Sequence, residues 1–407
     1  MNAGDTAWVL ISSAMVMLMT PGVALFYGGM VRRKNVLSTI MMSFVALALV
    51  GILWVIYGYS LSFGNDLGGF IGGFSFFGLS NVGQAPSDVY ASTVPHLAFM
   101  IFQAMFAIIT VALITGAVVE RIKFSSLLVF SALWLTFIYA PVAHWVWGDG
   151  GWLANLGALD FAGGTVVHIN AGISALALVM LLGPRRGFLK ESMEPSNIPM
   201  VVIGVALLWF GWFGFNAGSA LTADGLAANA FVTTNISAAA AAFTWMMLSW
   251  IKQRPTILGT GTGAVAGLVA ITPAAGFVSP MAAIPIGILS AIIGYYAMLF
   301  IKKKRGFDDS LDVFAVHGLG GIWGALATGI FASLTVNAAG ADGLLAGNGM
   351  QFLKQLAGVA AVGGFAFVGS RLLGKIIDIT MGLRVQEMEE VVGLDISQHG
   401  ERAYGGM

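Results

Sequence analysis

Two histidines sit where ionisable side chains are expensive to keep. His168 lies in "DFAGGTVVHINAG" (160–172) and His317 in "DVFAVHGLGGIWGAL" (312–326). Both surroundings are otherwise apolar. A single histidine of this kind often does no more than hydrogen-bond a neighbouring helix. Two at matched positions favour the other role of intramembrane ionisable groups, which is to line a pathway. Burial disfavours a charged imidazole, so the pair is expected to be mostly neutral. A neutral imidazole offers one donor and one acceptor. Two of them edge to edge can share a proton and leave their outer nitrogens for a small polar solute, or relay a proton. The chain has no cysteine, which removes thiolate ligands, cysteine nucleophiles and disulfides. A zinc site would want a third ligand, and none lies nearby in sequence. No metal or cofactor is expected.

The elements that must position this pair follow from composition. Of 407 residues, 58% are hydrophobic and only 9% charged. A soluble domain carries roughly a quarter charged residues, so the solvent is expected to be mainly lipid. Fifty-five glycines suit helices packed closely in a membrane. The formal net charge is zero, and nothing argues for nucleic acid. Eleven apolar stretches reach the spanning length of about 20 residues, near 6–30, 36–63, 95–118, 125–147, 163–183, 198–220, 228–250, 257–274, 281–301, 311–334 and 350–381. An all-α polytopic protein is therefore expected, with one transmembrane domain (1–381) and a short charge-rich tail (382–407). The tail reads either as a frayed solvated end or as a small regulatory element.

The basic residues set the orientation. Arg32, Arg33, Lys34, Arg121, Lys123, Arg185, Arg186, Lys190, Lys252, Arg254, Lys302, Lys303, Lys304 and Arg305 fall in alternate loops. The intervening loops (64–94, 148–162, 221–227, 275–280 and 335–349) hold no Lys or Arg. By the positive-inside rule the N-terminus is expected outside and the C-terminus inside. The N-terminal stretch has no basic region and carries Asp5, so it does not read as a cleavable signal and the first helix is expected to be retained.

His168 falls in the fifth span and His317 in the tenth. Five spans apart, two copies of a five-helix unit (halves 6–183 and 198–334) would lie in opposite orientation, a frequent transporter plan with the site at the midplane. His168 is eight residues beyond Asp160, about 12 Å at 1.5 Å per residue, and His317 five beyond Asp312, about 7–8 Å. Aromatic residues gather at the outer ends: Phe102 and Phe106; Trp145 and Trp147; Trp209, Trp212, Phe213 and Phe215, with Ser219. Such residues commonly form interfacial belts. Three clusters at one depth could instead cage a cation, with Ser219 accepting a hydrogen bond. Asp160 would add negative potential or cap the fifth helix.

The segments "DFAGGTVVHINAG", "GWFGFNAGSA", "PGVALFYGGMVRRKNVLS", "DVFAVHG" and "GLDISQHGERAY" together closely resemble the ammonium transporter family (Amt/MEP/Rh) on its bacterial and archaeal Amt side. The resemblance covers essentially the whole chain. It implies eleven helices with a five-plus-five inverted repeat, a homotrimer with one pore per subunit, and a cell-membrane location. It implies recruitment of ammonium by Trp147, Phe106 and Ser219 with Asp160 in support, a gate of Phe106 and Phe215, and a pore lined by His168 and His317, with Trp212 and Thr272 as further pore positions. It also implies a PII-type signal protein that docks on the cytoplasmic face. Ammonium would give up its proton at the gate and ammonia would cross between the histidines, with the proton either following separately through the pair or returning outside. An ammonium sensor that scarcely transports, an Rh-type gas channel and a membrane enzyme using the histidines as acid and base are the other readings. The short tail counts against a sensor with a long signalling domain. The outer Trp147 and Ser219 count against a gas channel, and the missing nucleophile counts against an enzyme.

Overall fold

The computed structural model describes residues 1–252 and 254–405, apart from the side chain of Lys303. Gly406 and Met407 of the expected tail, Gln253 in the loop after the seventh span, and the Lys303 side chain lie outside the described residues. The chain is mostly helical. Among the described residues ten helices have spanning length and apolarity: α1 (Ala3–Met30), α2 (Arg33–Phe63), α3 (His96–Val118), α4 (Phe124–Leu156, interrupted after Trp147), α5 (Gly164–Leu182), α6 (Ile198–Gly218), α7 (Gly225–Lys252), α9 (Pro280–Phe300), α10 (Phe314–Phe331) and α11 (Gly349–Met381). An eleventh, α8 (Ile257–Ile271), is shorter. It stops before the expected 274 because Pro273 cannot continue a helix and a run of turns follows to Ser279.

The 64–95 connection is more structured than its composition suggested. It folds into two small antiparallel hairpins, β1 (Asp66–Leu67) with β2 (Ile71–Gly72) and β3 (Pro86–Ser87) with β4 (Ala91–Pro95). These sit at the end of the molecule whose loops lack basic residues, here called the acidic end. The three further histidines are occupied structurally. The His144 ring nitrogens contact the Ser62 carbonyl and the Asp66 carboxylate at 3.0 and 2.9 Å. His96 contacts the Tyr59 hydroxyl at 2.6 Å, and His399 packs on the Phe124 ring.

At the basic end, the loop cations are not merely solvated. Glu120 is buried, and its carboxylate pairs with Arg185 at 2.9 Å and Arg32 at 3.0 Å while accepting from Asn35. Arg185 also pairs with Asp308 at 2.8 Å. Arg121, fully buried, donates to the Asp308 and Gly183 carbonyls and to Ser310. One lattice thus ties the ends of α1, α3 and α5 to the loop before α10.

The tail joins this lattice and does not fray. It forms α12 (Glu387–Val392) and α13 (Leu394–His399). The Leu394 N–H donates to Asn35, and Asp395 accepts from the Ser38 N–H, both at 2.8 Å. Lys34 donates to the Glu390 and Val391 carbonyls, and Arg384 pairs with Glu390.

Burial alone would raise the Glu120 carboxyl. Arg185 and Arg32 outweigh it and hold the group down at about 2. The stability this adds is complete above the ordinary value of 4.5 and is lost as pH falls toward about 2. Replacing Glu120 by Gln removes the counter-charge of half-buried Arg32 and leaves buried Arg185 with Asp308 alone, a loss of up to about 3–5 kcal/mol for a broken buried pair. Unfolding of the purified protein is therefore expected at much lower temperature in Glu120→Gln at neutral pH. The gap to wild type should narrow as pH drops through the 4.5-to-2 window. A constant gap across that window would refute the assignment.

Candidate functional site

The two histidine-bearing helices begin alike. Each opens with a π-helical turn that contains its histidine, Gly164–Ile169 in α5 and Phe314–Gly318 just inside α10. Such turns insert an extra residue and re-aim a side chain. Each turn is held at its N-terminus by a carboxylate eight residues before the histidine. Asp160 accepts from the backbone N–H groups of Gly163, Gly164 and Thr165 at 2.7–2.8 Å, from Val166 at 3.3 Å, and from the Thr165 hydroxyl. Asp309, 1% exposed, accepts from Val313 and Phe314 at 3.0 and 2.7 Å. Negative groups at helix N-termini satisfy orphan donors and complement the dipole. Sequence reasoning took Asp312 as the reference for α10 and missed Asp309. The shared D-x7-H spacing of 160/168 and 309/317 was the signal available.

The helices then come very close. A Cβ on Gly172 would collide with the backbone of Gly318 and His317. A Cβ on Gly321 would crowd His168 and the Gly164 carbonyl at 3.0 Å. This approach brings the two Nδ1 atoms of His168 and His317 to 3.2 Å, with the rings 5.3 Å apart between centroids and tilted by 23°. Both residues are buried, at 1% and 4% exposure. Since Nδ1 faces Nδ1, one ring donates and the other accepts. The Nε2 of His168 has no hydrogen-bond partner among the described residues.

The residues expected around the pair stack in sequence above it. Trp212 lies parallel to the His168 ring at 5.4 Å and is fixed by its indole N–H donating to Thr272 at 2.9 Å. Thr272 is thus the anchor of Trp212. Phe215 is 6.1 Å from His168, and Phe106 stacks on Phe215 at 4.1 Å with 21° between planes. Phe106 in turn meets Trp147 edge-on at 5.8 Å.

Above Phe106 opens a cavity of about 350 Å³ at the acidic end, lined by Tyr90, Phe102, Gln103, Phe106, Trp147, Asp160 and Ser219 among others. Ser219 donates its hydroxyl hydrogen to the Phe215 carbonyl at 2.8 Å, so its lone pairs remain to accept. The Trp147 indole donates to the Asp160 carbonyl at 2.9 Å. On the other side, His317 faces a narrow enclosed space with Phe26, Tyr27, Thr262, Val265, Leu311 and Val316.

Not all the aromatic clusters converge. Trp145 turns away to Phe365 and the Phe70 carbonyl, and Phe213 stacks on Phe231 at 3.9 Å. Gln103 does join the cavity. It was not singled out from sequence, since an isolated amide in an apolar helix carries no spacing pattern. Its Oε1 is buried without a hydrogen-bond partner among the described residues. No cluster of three or more potential metal ligands occurs among the described residues.

A many-spanned helical membrane protein with a buried histidine pair below an aromatic-lidded cavity has the build of a transport protein. The comparisons agree with that class and narrow it. The sequence model of the Ammonium Transporter Family matches residues 7–404. The chain is 54% identical to the ammonium transporter Amt1 of Archaeoglobus fulgidus over 404 residues, 99% of this chain and 100% of that one. It is 51% identical to an ammonium transporter of Bacillus subtilis, covering 99% of each. Among solved structures it matches Candida albicans Mep2 with a TM-score of 0.90 and 37% identity, over 99% of this chain and 91% of that one. It also matches a sensor Amt protein with a TM-score of 0.89 and 30% identity, over 97% and 98%. The chain belongs to the ammonium transporter family.

In an exposed helix interior, Gly→Ala stabilises by about 0.5–1 kcal/mol. At Gly172 the sign should reverse, because the added methyl must push α5 and α10 apart. Thermal unfolding of Gly172→Ala is expected below wild type, with Gly364→Ala, where a Cβ meets nothing within 4 Å, as the neutral or stabilised control.

Proposed function

We propose that this protein moves ammonium across a cell membrane by way of the Phe106–Phe215 lid and the His168–His317 pair. The observation that carries the reading is the unbroken order cavity, stacked phenylalanines, Trp212-backed His168, His317 and enclosed inner space. A cation in the upper cavity gains from the faces of Trp147 and Phe106, each exposed contact of this kind being worth about 0.5–1 kcal/mol and more when dry. The Ser219 oxygen and Gln103 Oε1 can accept hydrogen bonds from it. Among the described residues no carboxylate lines the enclosed space beside His317, and a bare cation there would lose its hydration without replacement. Ammonia does not bear that cost. It can hydrogen-bond the free His168 Nε2 and pass along the histidine pair.

The basic loops and docked tail face the cytoplasm in this reading, with the N-terminus outside. Three such chains assemble with one pore each, and the basic end takes a PII-type signal protein. The matching relatives are named as ammonium transporters, and that favours transport over sensing.

His168→Ala is expected to form the same oligomer and to lose at least tenfold in selective ammonium-dependent uptake, followed with a methylated ammonium analogue. Wild-type uptake in that variant would refute the pore assignment. Current from reconstituted liposomes after an ammonium pulse separates the two proton routes. A charge moved per ammonium means the proton follows through the pair. Flux with zero current means ammonia crosses alone.

A further inference from the structure

A second cavity of about 350 Å³ lies at the basic end, between the α1–α2 loop and the tail. It is remote from the histidine pair and has no part in the proposed transport path. Arg33, Lys34 and Arg402 bring three cations to its wall, and Tyr404 and Val392 supply ring and apolar surface. The exposed Arg33 guanidinium lies 4.8 Å over the Tyr404 ring, an arrangement that holds its donor fork in a fixed plane.

Asp395 is the unusual member. It is 2% exposed and lines the cavity, and while its Oδ1 accepts from the Ser38 N–H, its Oδ2 has no hydrogen-bond partner among the described residues. The Val36 and Leu37 N–H groups at the start of α2 also face this carboxylate, and Oδ2, which makes no contact of hydrogen-bond length, can take one further donor.

The charge pattern narrows the ligand. Three cations favour an anion, and a rigid arginine fork favours the geometry of phosphate. The Asp395 carboxylate would repel a bare anion, so the ligand must carry its own hydrogen-bond donor beside the phosphate. Sugar or glycerol hydroxyls and amino groups do this. The volume is at the lower end of small-molecule sites, enough for a mononucleotide or a lipid headgroup.

We propose that this cavity binds a phosphate ester that bears a hydroxyl or amino donor, its phosphate on Arg33 and its donor on Asp395. Its walls come from both the tail and the first loop. An occupant therefore adds to the hydrogen bonds that already fasten α13 to the N-terminus of α2, and holds the tail more firmly docked.

Calorimetric titration of the purified full-length protein with AMP, glycerol 1-phosphate and inorganic phosphate tests the soluble source. Hydrogen exchange of residues 386–404 in phosphatidylcholine nanodiscs, with and without phosphatidylglycerol, tests the lipid source. At least one ester should bind tenfold or more tighter than inorganic phosphate, or phosphatidylglycerol should slow exchange in the tail. Soluble binding assigns a free metabolite, and an effect of phosphatidylglycerol alone assigns a headgroup. Arg33→Ala should weaken the effect at least tenfold. Arg33→Lys, which keeps the charge and the tail contacts, should weaken it less. Asp395→Asn should shrink the preference over inorganic phosphate. Neither binding nor slowed exchange with any of these probes overturns the proposal, as does undiminished binding in Arg33→Ala. Neither readout involves transport, so failure here leaves the pore assignment standing and the reverse also holds.

Discussion

The 3.2 Å contact between the Nδ1 atoms of His168 and His317 is the constraint that the surrounding structure serves. In a low-dielectric interior two facing imidazoles are tolerable only when neutral and when one donates to the other. The separation has little tolerance, since a wider gap would leave two buried ring nitrogens unpaired. The helices must therefore meet at a distance that forbids a side chain between them, and glycines at 172 and 321 provide it. Their N-terminal turns must also stay fixed, and a buried carboxylate holds each one. The same two needs in each half account for the shared D-x7-H pattern better than any role specific to one side.

The two carboxylates are not equivalent in what they can do beyond this. The oxygens of Asp160 already accept five hydrogen bonds from its own helix start, so taking up a proton would mean giving one or more of them away. That makes Asp160 a scaffold for the α5 turn and, through its carbonyl, for Trp147. Asp309 accepts only two N–H groups, and burial beside Asp312 pushes its carboxyl up to about 7. Burial raises both carboxyls above the ordinary carboxylate value, so the two helix starts that bear the histidines share this feature as well.

Much of this was legible in the sequence because lipid imposes simple rules. Span length and the exclusion of charge marked the helices. The α8 segment failed only at its end, where Thr272 and Pro273 turn the chain. The histidine pair was readable because imidazoles are rare in such segments. Asp309 was hidden by its neighbours Asp308 and Asp312, either of which fits a helix start by composition. The basic-end lattice was hidden for another reason. Charge counting sorts Arg32, Arg121 and Arg185 to one side, but says nothing of the buried acids, Glu120 and Asp308, that they neutralise. The aromatic clusters were over-read: sequence gave Trp145 and Phe213 the same depth as Trp147 and Phe215, while the azimuth around each helix sends the first two away from the cavity.

That lattice also bears on how far an event at the tail can reach. From Asp395 and Leu394 the hydrogen bonds run through Ser38 and Asn35 to Glu120, then through Arg185 to Asp308, whose neighbour Asp309 holds the start of α10. Spatial continuity alone does not demonstrate coupling. The energetics supply a further reason, because every member is a charged or polar group with little access to water. Undocking the tail would leave Asn35 Oδ1 and the start of α2 without their partners, and water would have to enter to replace them. The docked tail is thus joined to the start of the helix that bears His317 through a continuous set of buried hydrogen bonds and ion pairs, with no contact between the two.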